Sequence, residues 1–191
     1  MPEINLKCTC GMVQGKTANI DKMVGNRIVC CCDDCQSFAE YLKQEDTMLD
    51  QYGGTDLFQM PISYVKISQG NEQIACVKLR EKGMFRWYTK CCNTPIGNSL
   101  DSKMPFLGLV HNFMDNAKSR DEDLGSVRGY LQTKYAKKEV VEQNHSPFKA
   151  TVRMIVKLLV WKIKGLNTPS AFFDNNGEPV TKPTVLSSDQ K

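Results

Sequence analysis

Short runs of alternating apolar and polar residues fill the middle of the chain and predict β-strands. The runs SYVKISQG, QIACVKLR and MFRWYTK are rich in β-branched and aromatic residues. The segments GNE and EKG separate them, and both are typical turn sequences. A fourth apolar run, PFLGLVHNF, continues the series. The even spacing of these runs predicts an antiparallel β meander, so we expect a mainly β (α+β) fold.

A helical pattern follows the run IVCCCDDC. Asp33 and Gln36 have the spacing of a capping box, which predicts a helix through CQSFAEYLKQ. We therefore expect a short helix that begins near Asp34, with Cys35 in its first turn. The aspartates are expected to do no more than cap this helix.

A second, longer helix is predicted near the end of the chain. Ser146 and Pro147 fit the N-cap and first helical positions, and Gly165 fits the end, so the helix should span about 147–164. FFDNNGEPV further on predicts a tight turn around Asn176 and Gly177.

The long helix has two apolar stripes separated by a basic ridge. One stripe is Phe148, Val152, Ile155, Leu159 and Ile163, the other is Ala150, Met154, Leu158 and Trp161, and the ridge is Lys149, Arg153, Lys157 and Lys164. A helix with two apolar sides needs two partners. The simplest pair is the protein's own sheet and either a second subunit in a homodimer or a longer C-terminal wrap. An anionic membrane surface is possible but less favoured, and the helix is too short and too charged to span a bilayer.

Composition and charge narrow the class of protein. The chain has 191 residues, of which 41% are hydrophobic and 24% are charged. This is the composition of a globular protein, and a chain of this length can bury a hydrophobic core without disulfide bonds. The net charge of +4 is small and its basic residues are interspersed with acidic ones, so a nucleic-acid partner is not expected. The opening MPEINLKCTCGMVQG has no apolar signal region, and we expect a cytoplasmic protein.

Cysteines are the most informative residue type. They are Cys8, Cys10, Cys30, Cys31, Cys32, Cys35, Cys76, Cys91 and Cys92. Their number is odd, the expected compartment keeps thiols reduced, and cysteines separated by one residue or none bridge each other only with strain. Disulfides are therefore the weakest explanation of this pattern.

Three cysteine clusters, CTCG, CCCDDC and KCCNTP, indicate a metal site. Thiolates bind zinc tetrahedrally, and ligands one to three residues apart on tight turns can reach the same ion. The third cluster follows a predicted strand, which can return it to the first cluster. We expect one or two Zn²⁺ per chain. Cys76, in an alternating run, and His111, in an apolar run, are expected to be core residues, and His145 to lie in a loop.

The order of motifs resembles the family of glutathione-dependent formaldehyde-activating enzymes, which includes centromere protein V. The motifs are C-x-C-G, then C-x-C-x-x-C at a helix start, then a meander, and then cysteines followed by TPI. The resemblance covers about residues 5–115. It implies a β fold held by zinc, in which Cys8, Cys10 and Cys92 belong to a closed structural site. It also implies an open site of three thiolates, Cys30, Cys32 and Cys35, with Cys31 at a variable position.

The third motif departs from the family pattern. The family has C-x-x-C-G, whereas this chain has Thr89 at the first cysteine position and Asn93 at the glycine. Cys91 can replace the missing ligand only if the chain has already turned, because neighbouring residues on a strand point to opposite faces. Whether Cys91 is a ligand is therefore open.

These observations predict a zinc-binding β domain at 1–120 and a C-terminal extension at 121–191. The resemblance implies a carbon–sulfur lyase that acts on a thiol adduct of a small aldehyde, as in the formation of S-hydroxymethylglutathione, with a small thiol such as glutathione as its partner. Cys30, Cys32 and Cys35 would then be catalytic through the bound metal. The alternative is a zinc-stapled binding protein without turnover, which uses the basic C-terminal helix for a protein, membrane or nucleic-acid partner.

Overall fold

The computed structural model describes residues 2–141 and 146–186. The strands are β1 Asn5–Lys7, β2 Gln14–Thr17, β3 Asn26–Cys30, β4 Thr55–Met60, β5 Val65–Gln69, β6 Ile74–Lys78, β7 Phe85–Thr89, β8 Pro95–Ser99, β9 Leu107–Val110, β10 Tyr130–Leu131 and β11 Thr184–Val185. The helices are α1 Asp33–Leu42, α2 Glu45–Met48, α3 Arg120–Leu124 and α4 Pro147–Ile163. Of these, α1 follows the second cysteine cluster and α4 is the long helix near the end of the chain. The prediction of a mainly β fold with these two helices is confirmed.

Two sheets organise the described residues. The larger sheet has the order β10-β3-β4-β9-β8-β7-β6-β11, and its central six strands are antiparallel. The smaller sheet has the order β1-β2-β5. The main core lies around Trp87 of β7, which is fully buried and meets Phe172 and Phe173 from the C-terminal part of the chain.

The meander differs from the predicted one in two respects. The predicted strand in SYVKISQG is β5, which pairs with β2 in the smaller sheet and not with β6. Strand β8 was not predicted, because Pro95 and Gly97 are poor strand formers. Its burial explains the glycine: a Cβ on Gly97 would lie 2.8 Å from the carbonyl oxygen of Gly108. Close packing in the sheet centre overrides local propensity there.

Helix α1 begins where expected but is capped differently. Its N-cap is Cys32, with no side-chain capping bond, so the predicted capping box is wrong. The amide Nε2 of Gln36 instead donates to the carbonyl oxygens of Cys31 and Tyr135, at 3.0 and 2.9 Å. Because Gln36 is recruited by a segment 99 residues away, no local pattern could have indicated this bond.

Helix α4 has the predicted ends. The hydroxyl of Ser146 accepts a hydrogen bond from the Lys149 amide, and Gly165 follows the helix with a positive φ of 63°. Ala150 and Trp161 of the second predicted stripe are buried, and Met154 and Leu158 are half-buried. The first stripe is exposed along its whole length. Helix α4 therefore packs on its own protein with one side only.

The C-terminal part of the chain joins the same sheet and core. Strand β10 pairs in parallel with β3, and β11 pairs in parallel with β6, so both edges of the large sheet are completed from residues beyond 121. The predicted turn is present, with Gly177 at a φ of 84° and its amide bonded to the Asp174 carbonyl. The domain boundary near residue 120 stays a prediction.

The remaining expectations concern His145 and the prediction that no helix spans a membrane. His145 and the end of the chain, 187–191, lie outside the described residues. Among the described residues, no helix has the length and apolar character needed to cross a bilayer.

Candidate metal centres

Four cysteines from two distant parts of the chain meet at one end of the core. Cys8 and Cys10 follow β1, whereas Cys91 and Cys92 lie in the turn after β7. Their sulfur atoms all lie within 4.8 Å of one another. The sulfur–sulfur distances are 3.5 Å for Cys8 and Cys10, 3.8 Å for Cys8 and Cys91, and 3.3 Å for Cys10 and Cys91. We call these residues the four-cysteine group.

The distances fit a tetrahedral ion. Sulfur ligands at about 2.3 Å from a tetrahedral zinc lie about 3.8 Å from each other. Cys91 and Cys92 are 3.7 Å apart, and they can face one ion because the chain leaves the strand at Thr89 and turns. Asn93, with a φ of 54°, and Gly11, with a φ of 79°, take the left-handed conformations that these two turns require. The four-cysteine group can therefore hold a metal ion.

Two threonine hydroxyl groups lie next to the sulfur of Cys92. One belongs to Thr89, the residue that replaces a cysteine of the family pattern. The sulfur of Cys92 lies 3.4 Å from Oγ1 of Thr89 and 3.1 Å from Oγ1 of Thr94. Burial acts to raise the pKa of Cys92, but these hydrogen bonds, together with those from Cys10, outweigh it and lower that pKa to about 6. Thr89 thus contacts the group as a hydrogen-bonding neighbour of Cys92.

A second group lies where β3 passes into α1. The sulfur atoms of Cys30, Cys32 and Cys35 all lie within 4.8 Å of one another, and those of Cys30 and Cys32 are 3.4 Å apart. Cys30 ends the strand, Cys32 caps the helix, and Cys35 lies in its first turn. We call these residues the three-cysteine group. It can hold a metal ion with three protein ligands.

Cys31 and Cys76 belong to neither group. Cys31 lies between two ligand candidates and is fully buried on the other side of the chain, in a cluster with Val29 and Tyr52. Alternation along extended backbone accounts for this separation. Cys76 is buried in the main core, as predicted.

Close packing of the thiols opposes their ionisation unless a cation is present. Hydrogen bonding with Cys32, together with burial, raises the pKa of Cys30 to about 12. Hydrogen bonding with Cys30, together with burial, raises the pKa of Cys35 to about 12, and the charge of Arg86 acts in the opposite direction. A cation held by the three sulfurs would stabilise the thiolates, which is the usual coupling between metal binding and proton release.

Arg86 is a buried charge directly behind the three-cysteine group. Its Nη1 lies 4.0 Å from the sulfur of Cys35 and donates to Oδ1 of Asn98 at 3.2 Å, while its Nη2 lies 3.5 Å from Oδ2 of Asp34. With a divalent ion bound, three thiolates would leave one excess negative charge, which this guanidinium would balance electrostatically. Sequence analysis missed Arg86. The available signal was an arginine between aromatic residues in a run predicted to be a strand.

A cavity of about 810 Å³ opens next to the three-cysteine group. Its lining comes from the start of α1, the segment after β10 and the first turns of α4: Cys30, Cys32, Asp33, Asp34, Leu131, Gln132, Lys134, Tyr135, Phe148 and Thr151. Cys30 and Cys32 are partly exposed, whereas Cys35 is buried. An ion held here would be accessible from the cavity. The lining residues beyond 121 were not predicted, because they are far away in sequence.

His111 is positioned by the backbone. It begins a short 3₁₀ helix after β9, and its ring nitrogens lie 3.3 Å from the Asp56 carbonyl and 3.2 Å from the Thr47 carbonyl. Burial lowers the pKa of His111, and the nearby Asp56 charge partly offsets this. His111 is thus a half-buried residue outside both cysteine groups, and its neutral ring can donate to one of the two carbonyl oxygens that its nitrogens face.

Comparisons with known proteins give a family without a known role. Residues 2–183 match a protein family described as "Family of unknown function (DUF6151)". No curated protein matches the chain. Among solved structures, the chain is similar to a crystal structure of a Rhodobacter sphaeroides protein from Northeast Structural Genomics, at 15% sequence identity and a TM-score of 0.45. That alignment covers 64% of this chain and 96% of the other.

Proposed function

Since the chain belongs to the DUF6151 family, whose description names no activity, we propose a function from the two cysteine groups. The four-cysteine group holds a structural zinc ion, and the three-cysteine group holds a second zinc ion that a small thiol can reach. The observation that carries this proposal is the cavity at Cys30 and Cys32. A closed set of four protein ligands is typical of structural zinc, and three ligands with an open position are typical of catalytic zinc.

The reaction we propose is the addition of a small thiol to a small aldehyde, catalysed in both directions. The S–H bond and the carbonyl π bond break, the thiol sulfur bonds to the carbonyl carbon, and the proton passes to the carbonyl oxygen. The product is a hemithioacetal, which for formaldehyde is a hydroxymethyl thioether. In the reverse direction the carbon–sulfur bond breaks. When bound, zinc would supply a positive charge that favours the thiolate form of the substrate. The resemblance of the cysteine spacing to the formaldehyde-activating enzymes supports this choice of substrates.

Residues of the cavity have the chemistry for such a substrate. Asp33 and Asp34 place carboxylates at the start of α1, and Tyr135 and Lys134 face the same space. A carboxylate can accept the thiol proton and return it to the new hydroxyl group. Lys134, whose Nζ lies 4.6 Å from the ring centre of Tyr135, offers a positive charge for an anionic thiol such as glutathione.

The test is the rate at which the adduct of glutathione and formaldehyde forms and breaks. The reaction runs without a catalyst, so only the exchange rate measured by NMR distinguishes the protein from the background. We expect the wild-type protein to accelerate exchange and Cys32→Ser to remove the acceleration. Cys31→Ala, which changes the neighbouring cysteine outside the group, should keep it. Wild-type rates equal to the protein-free rate for several thiols and aldehydes would reject the enzyme.

A second candidate function is a zinc-stapled binding protein without turnover. The exposed apolar stripe of α4 favours it, because catalysis at the cavity does not need that surface. This candidate predicts two bound zinc ions and no acceleration of exchange. Zinc content and exchange rate measured on the same preparation separate the two functions.

A further inference from the structure

Helix α4 presents an extended apolar surface to solvent. We define its outer face by seven residues: Phe148, Val152, Ile155, Val156, Leu159, Val160 and Ile163. Phe148 is 77% exposed, Ile155 55% and Ile163 86%. Single exposed apolar residues are ordinary, but a contiguous row of this length marks an interaction surface.

The helix cannot turn this face inward, because its opposite side is fixed. Trp161 is buried against the protein. Arg153 donates from Nη2 to the carbonyl of Lys22 at 2.7 Å, and Lys157 donates from Nζ to the carbonyl of Val24 at 2.9 Å. Half of the basic ridge is therefore used to anchor α4.

A basic cavity of about 370 Å³ lies beside the start of the helix. Arg128, Lys149 and Arg153 line it together with the hydroxyl-bearing Ser126 and Ser146, and its lining among the described residues includes no carboxylate. The Nε atom of Arg153 is buried without a hydrogen-bond partner among those residues. The cavity thus offers several cations and an unused donor.

The cations of this region repel one another. Burial lowers the pKa of Arg153, and the neighbouring Arg128 lowers it further. Burial also lowers the pKa of Lys157 to about 8, with Arg153 and Arg128 acting in the same direction and Asp21 acting in the opposite one. Like charges held together in a cavity favour an anionic ligand.

The basic cavity and the outer face are neighbours on the helix surface. Lys149 is followed three residues later by Val152, and Arg153 by Val156, which is the spacing of side chains that lie next to each other on a helix. An occupant of both must combine a negatively charged group with apolar chains. Phospholipids have this combination, with a phosphate at the headgroup and acyl chains below it.

Charge distinguishes this occupant from a second copy of the chain. Helix α4 contains no aspartate or glutamate. An antiparallel pair of α4 helices would therefore bring four lysines, Lys149 and Lys162 of each copy, to the border of one interface with no carboxylate of α4 to balance them. An anionic bilayer instead complements Lys149 and Lys162, which border the outer face on its two sides.

We propose that the outer face of α4 docks on the surface of an anionic phospholipid bilayer, with a headgroup phosphate in the basic cavity. The helix lies in the plane of the interface, and its 17 residues extend about 25 Å along it. This inference does not depend on the proposed enzyme activity.

Vesicle flotation tests the proposal. We use the full chain with vesicles of phosphatidylcholine alone or with about 30% phosphatidylglycerol. Binding to the anionic vesicles should be at least about tenfold tighter than to the neutral ones, because charge adds to apolar contact. The double variant Ile155→Gln, Leu159→Gln should lose this binding. Val180→Gln, at an exposed valine outside the face, should keep it.

The cavity is tested separately with Arg153→Gln and with the exposed Lys149→Gln, which leaves the anchoring bonds intact. Each should weaken binding to anionic vesicles about fivefold and leave binding to neutral vesicles unchanged, because each removes one of several charges that face the bilayer, whereas Lys118→Gln should change neither. Equal binding to both kinds of vesicle, or to neither, would overturn the proposal. So would a concentration-dependent dimer that the double variant abolishes, or binding of inorganic phosphate in the cavity by a protein that does not float with vesicles.

Discussion

A buried guanidinium behind three thiols is a costly arrangement unless the thiols are ionised. Arg86 lies among Asn98, Asp34 and Cys35, with its charge over the ring of Phe38. Burying an unpaired charge is strongly unfavourable, and here the half-exposed Asp34 is its single carboxylate partner among the described residues. The sequence placed the cysteines but not this arginine, because its role depends on the packing of β7 against α1.

Replacing Arg86 should therefore weaken metal binding at the three-cysteine group. For Arg86→Gln we expect zinc affinity at this group to fall by about 10- to 100-fold, as for other residues that support metal ligands. Competition with a chromogenic chelator measures this directly. Arg80→Gln is the matched control, since Arg80 also contacts Asp34 but is 59% exposed. Equal losses in both variants would assign the effect to Asp34.

His111 should make the free energy of unfolding depend on pH in the acidic range. Its pKa is lowered in the folded protein by burial, so the folded state favours the neutral ring. The stability that this provides is present above the unfolded pKa of about 6.5 and is lost as the pH falls below it. Urea unfolding of the zinc-loaded protein should show a shallower loss of stability between about pH 7 and 5 for His111→Gln than for the wild type. Parallel curves would contradict this.

Helix α4 shows which features of an element a local pattern can predict. Ser146, Pro147 and Gly165 predicted its ends, because capping depends on residues next to one another in sequence. The two apolar stripes were also recognisable, but the wheel could not tell which one is buried. Which stripe is buried depends on contacts with distant residues. The side chain of Asn26 donates a hydrogen bond to the Ala150 carbonyl, and loop carbonyls accept hydrogen bonds from Lys157.

Unequal burial along α4 predicts unequal effects of truncation. Trp161→Ala removes a buried indole and should lower the free energy of unfolding by about 3–5 kcal/mol. Ile163→Ala, two residues away at an exposed position, should change it by less than about 0.5 kcal/mol. Urea or thermal unfolding measures both. Similar effects for the two variants would mean that α4 packs on a different side.

At the scale of the whole molecule, the two cysteine groups join segments of very different separation. The three-cysteine group is local, and the resemblance of C-x-C-x-x-C to the formaldehyde-activating enzymes implied it. The four-cysteine group joins Cys8 to Cys91 across 83 residues, and the sequence left the place of Cys91 open because the turn at Asn93 was not known. Strand β8 and the cavity lining from residues 131–151 were missed for the same reason, since both depend on long-range packing.

This difference predicts different consequences for stability. Cys8→Ser or Cys92→Ser should lower the melting temperature strongly, because an ion that joins remote segments contributes its binding energy to folding. Cys32→Ser should change the melting temperature much less, since its group joins adjacent residues. Zinc content and melting temperature measured on the same samples test this. Equal destabilisation by both sets of variants would contradict a separate structural site.

The edge strands of the large sheet come from the last part of the chain, so the sheet can be completed only late in synthesis. Strands β3 and β6 are paired on their outer sides by β10 and β11, which come from much later in the chain. A nascent chain that has emerged only to about residue 120 would expose both strand edges, and such edges pair readily with other chains. During synthesis the protein should therefore pass through an aggregation-prone stage that ends only when residues 184–185 leave the ribosome, which makes its yield sensitive to chaperone supply.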